Sequence, residues 1–133
     1  MFELFVSEGE NASIKLNLTG RANASANFKP SFAINLNGVD FENTGAVSLR
    51  IFCNEKDGLT LYVRSFTGVA YASIKTIKLD YGWNDISIDI KNVDLSYDGK
   101  LYFITDNLLT GDNTARTVEL YFNTLACLGK EEL

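Results

Sequence analysis

Between Asp85 and Ile90 the chain alternates polar and apolar residues at every step. Ile86, Ile88 and Ile90 fall on one side of an extended strand, and Asp85, Ser87 and Asp89 on the other. A strand of this kind must press one face against a second layer while the other stays in water. It is entered through Tyr81-Gly82-Trp83-Asn84, a turn with a large aromatic at its edge. The same two-residue period recurs along the chain between clusters of Gly, Asn and Asp, and no long helical period interrupts it. The alternation predicts strands over 2–6, 13–18, 31–37, 46–53, 59–66, 74–79, 84–90, 100–105 and 117–126, with a weaker one over 22–28. Nine or ten strands with one apolar face each are enough for an all-β, two-sheet antiparallel β-sandwich.

The phase of each run gives a candidate core. It comprises Ile14, Leu16 and Leu18; Phe32, Ile34 and Leu36; Val47, Leu49, Ile51 and Cys53; Leu59, Leu61 and Val63; and Val118, Leu120 and Phe122. The one proline, Pro30, falls between two runs, where its missing N–H removes no ladder bond. A length of 133 residues and a 46% hydrophobic share suit one domain, expected over 1–128 with a charged tail over 129–133. No apolar run is long enough to cross a bilayer as a helix, so membrane insertion is not expected. Met1-Phe2-Glu3 lacks the basic start and apolar run of a signal peptide; a secreted protein without its signal, or a domain cut from a longer chain, would read the same way.

Several function classes fall to composition. A net charge of −5 argues against nucleic acid, whose phosphates need a basic face. The chain has no histidine, which removes Ser-His-Asp and Cys-His catalysis and His-ligated zinc, copper or iron from within it. Paired carboxylates remain, with Asp85/Asp89 and Asp94/Asp98 as candidates. The first pair lies on what reads as a wet strand face, and the chain is not expected to be an enzyme. Cys53 and Cys127 lack metal-ligand spacing. They read either as two small buried apolar residues or as a disulfide tying the last strand to the middle of the sheet.

If the runs over 46–53 and 59–66 form a hairpin, shared inward faces set Cys53 opposite Leu59, Ile51 opposite Leu61 and Leu49 opposite Val63. Asn54–Gly58 is then a five-residue hairpin loop. That register would put Arg50 beside Tyr62 and Ser48 beside Arg64 on an outer face that also carries Phe52 and Phe66. On the last strand Glu119, Tyr121 and Asn123 point away from the core. Rings stack on the apolar faces of sugars, and arginines and carboxylates grip paired hydroxyls, so this face suits a glycan. It would equally suit a covering loop, or a plain Arg50–Tyr62 cation–π pair. Tyr71, Tyr81, Trp83 and Tyr97 form a second aromatic set near strand ends. Tyr97-Asp98-Gly99 reads as a turn with Gly99 at positive φ.

Four stretches together carry a resemblance. They are Val47-Ser48-Leu49-Arg50-Ile51-Phe52, the following run over 59–66, the Gly82-Trp83-Asn84 turn with Ile86, Ile88 and Ile90, and Val118-Glu119-Leu120-Tyr121-Phe122-Asn123. Over about 46–126 the chain resembles the galactose-binding-domain-like jelly rolls, which include many carbohydrate-binding modules of bacterial glycoside hydrolases. The resemblance implies a jelly-roll sandwich that binds a polysaccharide or glycan without catalysis. It also implies an extracellular or cell-surface setting, and a parent multidomain enzyme or surface protein as partner. It would place the turn tryptophan between layers or against a loop, which leaves packing and ligand stacking both open for Trp83. The family often holds a structural calcium near its last strand. Asn123 stands where that strand's aspartate would be, which argues against calcium, and no cofactor is expected. Asp106, Asn107, Asp112 and Asn113 offer hard oxygens on one loop, but at no EF-hand spacing. The ligand-binding set is therefore Arg50, Tyr62, Arg64 and Tyr121, with Trp83 second. The alternative function is a structural or interaction domain of a surface or adhesin-like protein that binds no sugar.

Overall fold

A computed structural model of the chain describes residues 2–5, 14–20, 29–39, 43–106, 108 and 114–129. The described elements are nine strands: β1 (Phe2–Phe5), β2 (Ile14–Thr19), β3 (Ser31–Asn35), β4 (Thr44–Cys53), β5 (Leu59–Phe66), β6 (Tyr71–Leu79), β7 (Gly82–Asp89), β8 (Lys100–Ile104) and β9 (Thr117–Gly129). They form a five-stranded sheet in the order β1-β3-β8-β5-β6 and a four-stranded sheet in the order β2-β9-β4-β7. The expected strand over 22–28 lies outside the described residues, as do Asn107, Asp112 and Asn113 of the hard-oxygen loop. None of the described residues forms a helix that could cross a membrane.

The pairing explains the order. β2 pairs with β9, β3 with β8, β4 with β7 and β5 with β6, all antiparallel. This is one long antiparallel ribbon folded over on itself. β4–β9 and β5–β8 pairs then zip its halves into two sheets. That is the jelly-roll arrangement, the expected all-β sandwich. One pair departs from the antiparallel expectation: β1 joins the edge of the five-stranded sheet parallel to β3.

The inner faces interdigitate as the alternation predicts. Phe32, Ile34, Leu36, Val47, Ile51, Cys53, Leu61, Val63 and Leu120 are fully buried, and Leu16, Leu18, Leu49, Leu59, Val118 and Phe122 nearly so. Ile86, Ile88 and Ile90 are buried too. Phe32 stacks on Phe103 with ring centres 4.8 Å apart and meets the edge of Phe122 at 5.2 Å, which joins the sheets at mid-core. One member of the expected core is wrong: Ile14 is 41% exposed, because it opens the edge strand β2 at the rim of the sandwich.

The 46–66 hairpin is also corrected. β4 and β5 lie in different sheets, and both flanks of β4 are taken by β7 and β9. Leu49 and Val63 therefore lie on opposite walls of the core rather than side by side in a ladder. Asn54–Gly58 is a sheet-crossing connection; five extended residues reach roughly 16 Å, enough for the ~10 Å between packed sheets. It is fastened by Gly58 N–H donating to the Glu55 carbonyl at 3.0 Å and by a 2.7 Å Arg116–Glu55 ion pair.

β9 carries a bulge. Ile51 pairs with Phe122 but Arg50 with Thr124, so Asn123 is the extra residue. The bulge moves the apolar positions of β9 from even to odd numbers and brings Leu125 opposite Leu49 and Cys127 opposite Val47. Cys53, by contrast, pairs with Leu120. Cys127 is thus about 20 Å from Cys53 along the ladder, far beyond disulfide reach. The disulfide alternative falls: Cys53 is a free, buried thiol whose pKa burial pushes up.

Candidate functional site

The four-stranded sheet turns Ser48, Arg50 and Phe52 of β4 outward, between its core positions. Register places Lys15 of β2 beside Tyr121 of β9, Tyr121 beside Phe52 of β4, and Phe52 beside Trp83 of β7. Three rings therefore stand in one row across adjacent strands. The Phe52 ring centre lies 6.0 Å from Tyr121, 5.3 Å from Trp83 and 5.8 Å from Tyr81, each contact edge-to-face. Trp83 is 45% exposed and Tyr81 60%, so the row meets solvent. Of the places left open for Trp83, the one between the layers is excluded. Its position on β7 has outward parity, and its indole lies on the outer face.

The turn before β7 is built to hold it there. Asn84 is half-buried, opposite Ile51. Its amide donates to the carbonyls of Asp80 and Gly82 at 3.0 Å and accepts the Asp80 N–H at 3.0 Å. One side chain thus clamps the connection that carries Tyr81 and launches Trp83.

Polar groups flank the rings. Arg50 lies over the Trp83 ring, 4.7 Å from its centre, and faces Asp85 at 3.6 Å. At the other end Glu119 accepts from the Tyr121 hydroxyl at 3.1 Å and from the Asn54 amide at 3.3 Å, and pairs with Lys15 at 3.3 Å. The Lys15 ammonium sits 5.8 Å from the centre of the Tyr121 ring. Lys15, then Tyr121, hold the Glu119 carboxyl below the usual carboxylate range, and Glu119 raises Lys15 in return. The face therefore offers flat apolar edges bordered by oriented donors and acceptors.

Arg50, Tyr121 and Trp83 are thus brought together, whereas Tyr62 and Arg64 are not with them. Those two are half-buried on β5, on the outer face of the other sheet. Tyr62 pairs with Ile104 and Thr76, and Arg64 with Tyr102 and Ser73. Around them lies a second aromatic cluster. Phe66 meets Tyr71 at 4.8 Å and Tyr97 at 5.4 Å, and Tyr71 meets Tyr102 at 5.4 Å. The Tyr102 hydroxyl donates to Asp98, and burial together with that hydrogen bond pushes its pKa well up. Glu3 and Lys100 form an ion pair farther along this face. Gly99 closes the neighbouring turn with φ of 68°, as the Tyr97-Asp98-Gly99 pattern predicts.

The candidate catalytic carboxylates are otherwise occupied. Asp85 faces Arg50, and Asp89 faces Lys91 at 3.7 Å. Asp94 accepts from the Ser96 hydroxyl and N–H, which hold its pKa down, the opposite of what a general acid needs. Among the described residues no cluster of three metal-ligating side chains occurs. Sequence reasoning missed Lys15 and Asn54 beside Tyr121, and Tyr102 beside Arg64. Outward parity on β2 and β8 was readable for Lys15 and Tyr102; their strand neighbours were not.

No protein-family model matches the chain, and no curated protein matches it. Among solved structures it is similar to a CBM4 structure at 8% identity and a TM-score of 0.45, over 94% of this chain and 74% of that one. It is similar to a glycoside hydrolase family 43 arabinoxylan arabinofuranohydrolase from Bacillus subtilis, solved with cellotetraose, at 10% identity and a TM-score of 0.43. That match takes in 98% of this chain but 28% of the enzyme. A third is CsCBM6-3 from Clostridium stercorarium in complex with cellobiose, at 12% identity and a TM-score of 0.39, over 92% of this chain and 96% of that one.

Proposed function

We propose that the protein is a non-catalytic carbohydrate-binding module, and that it holds a polysaccharide or glycan on the outer face of its four-stranded sheet. The observation that carries this reading is the solvent-facing row Tyr121–Phe52–Trp83, edged by Tyr81. A solvated sheet face has no need of four rings, and a row across strands about 4.8 Å apart matches the length of a few sugar units. Arg50, Asp85, Lys15, Glu119 and Asn54 supply the hydroxyl partners along its borders. Such a module would serve in an extracellular or cell-surface setting, keeping a parent enzyme or surface protein near its polymer by avidity.

Affinity electrophoresis through gels containing neutral polysaccharides tests it. The native protein should be retarded in at least one, Trp83→Ala should run freely, and Tyr62→Ala, on the opposite face, should stay retarded. A folded protein retarded by none would favour the second reading, a structural or interaction domain. One observation favours that alternative: the polar groups beside the row already pair with one another, so a neighbouring domain could cover the rings without supplying partners. Turnover of a glycoside would overturn both.

A further inference from the structure

Arg64 is the outlier of the opposite face. Arg50 and Arg116 each face a carboxylate. Arg64 is half-buried and has no hydrogen bond, ion pair or ring contact among the described residues. In register Arg64 stands between Tyr102 of β8 and Ser73 of β6, with Tyr62 and Phe66 two positions away on the same face of its own strand. A bulge in β6 falls at this point: Val63 pairs with Lys75 but Arg64 with Ser73, which leaves Ile74 over. Bulges locally bend a strand and re-aim the side chains beside it.

A half-buried cation with no carboxylate partner among the described residues, on a strand face that also carries rings, is a recognisable chemistry. The guanidinium fork matches a carboxylate with two parallel hydrogen bonds, and rings border the apolar faces of a pyranose. We infer that Arg64 anchors the carboxylate of a uronic-acid sugar, at a second site on the five-stranded sheet. The site is independent of the ring row: the two faces are the outer surfaces of opposed sheets, with the whole core between them. One module would then hold two chains, or two stretches of one, at once. A free phosphate or an acidic peptide would find the charge but gain nothing from Tyr62, Phe66 and Tyr102. The chain's net charge of −5 also opposes unspecific attraction to polyanions, so capture of one must rest on a local site.

The probe is polygalacturonate, compared with its fully methyl-esterified form, with dextran sulfate and with polyglutamate, in affinity electrophoresis and calorimetry at 0.15 M salt. The native protein should bind polygalacturonate, and methyl esterification should abolish binding. Arg64→Lys keeps the charge but loses the fork, and should weaken binding about tenfold or more. Trp83→Ala should leave it unchanged. No binding to polygalacturonate by folded protein, equal binding to polyglutamate or dextran sulfate, or full retention in both Arg64→Lys and Arg64→Gln would overturn the inference. Loss of neutral-glycan binding in Trp83→Ala tests the ring row alone, so either site can fail without the other.

Discussion

Glu119 is where the polar edge of the ring row converges, on Lys15, Tyr121 and Asn54. Its carboxyl is held below the usual range, first by Lys15 and then by Tyr121. A carboxyl depressed in the folded state contributes above its unfolded pKa, about 4.3, and the contribution is lost as pH falls through the lower folded value. Glycan affinity should therefore be flat from pH 8 to pH 5 and decline only in the acid limb, and Glu119→Gln should flatten that limb. Titrations at stepped pH check this; a decline between pH 6 and 8 would contradict it. Gly58 is the corresponding point for folding. It sits at φ of 80°, and a Cβ there would run into the Leu79 carbonyl oxygen. Gly58→Ala should cost roughly 1–3 kcal/mol in urea denaturation without touching the ring row.

At the scale of elements, the alternation carried more than half the fold. The phase of β7 put its isoleucines in the core, and the runs at β3, β4, β5 and β9 gave correct inward faces, while the place of Trp83 stayed open. Strand partners were not legible. Leu49 and Val63 belong to one core whether their strands lie side by side or face to face, so periodicity alone cannot distinguish a hairpin from a sheet crossing. The Asn123 bulge was half-legible, since the apolar positions of β9 change phase after Phe122. Arg50, Trp83 and Tyr121 came together because β7 and β9 both flank β4, a topological fact that no local pattern carries. Two variants probe the elements. Phe32→Ala should cost about 3–5 kcal/mol, because its ring joins both sheets at mid-core. Asn84→Ala frees the turn before β7, so it should weaken glycan binding more than it lowers stability; equal binding by a folded Asn84→Ala would contradict the clamp.

The whole molecule is a sandwich with two aromatic faces turned away from each other. A consequence is measurable without any ligand. In double-mutant cycles Arg50 and Trp83 should couple by about 0.5–1 kcal/mol, as an exposed cation–π pair does. Arg50 and Tyr62, on opposite sheets, should not couple at all; coupling there would restore the 46–66 hairpin. A sugar on the ring row would have a built-in reporter, because Trp83 is the single tryptophan in the chain. Titration of the native protein with neutral oligosaccharides of increasing length, followed by tryptophan emission, reads that row alone. Emission should change saturably, with an affinity that rises with length and that Tyr121→Ala weakens by about thirtyfold, or ~2 kcal/mol. Calorimetric binding of the same oligosaccharides with tryptophan emission unchanged would place the sugar elsewhere and contradict the ring-row site.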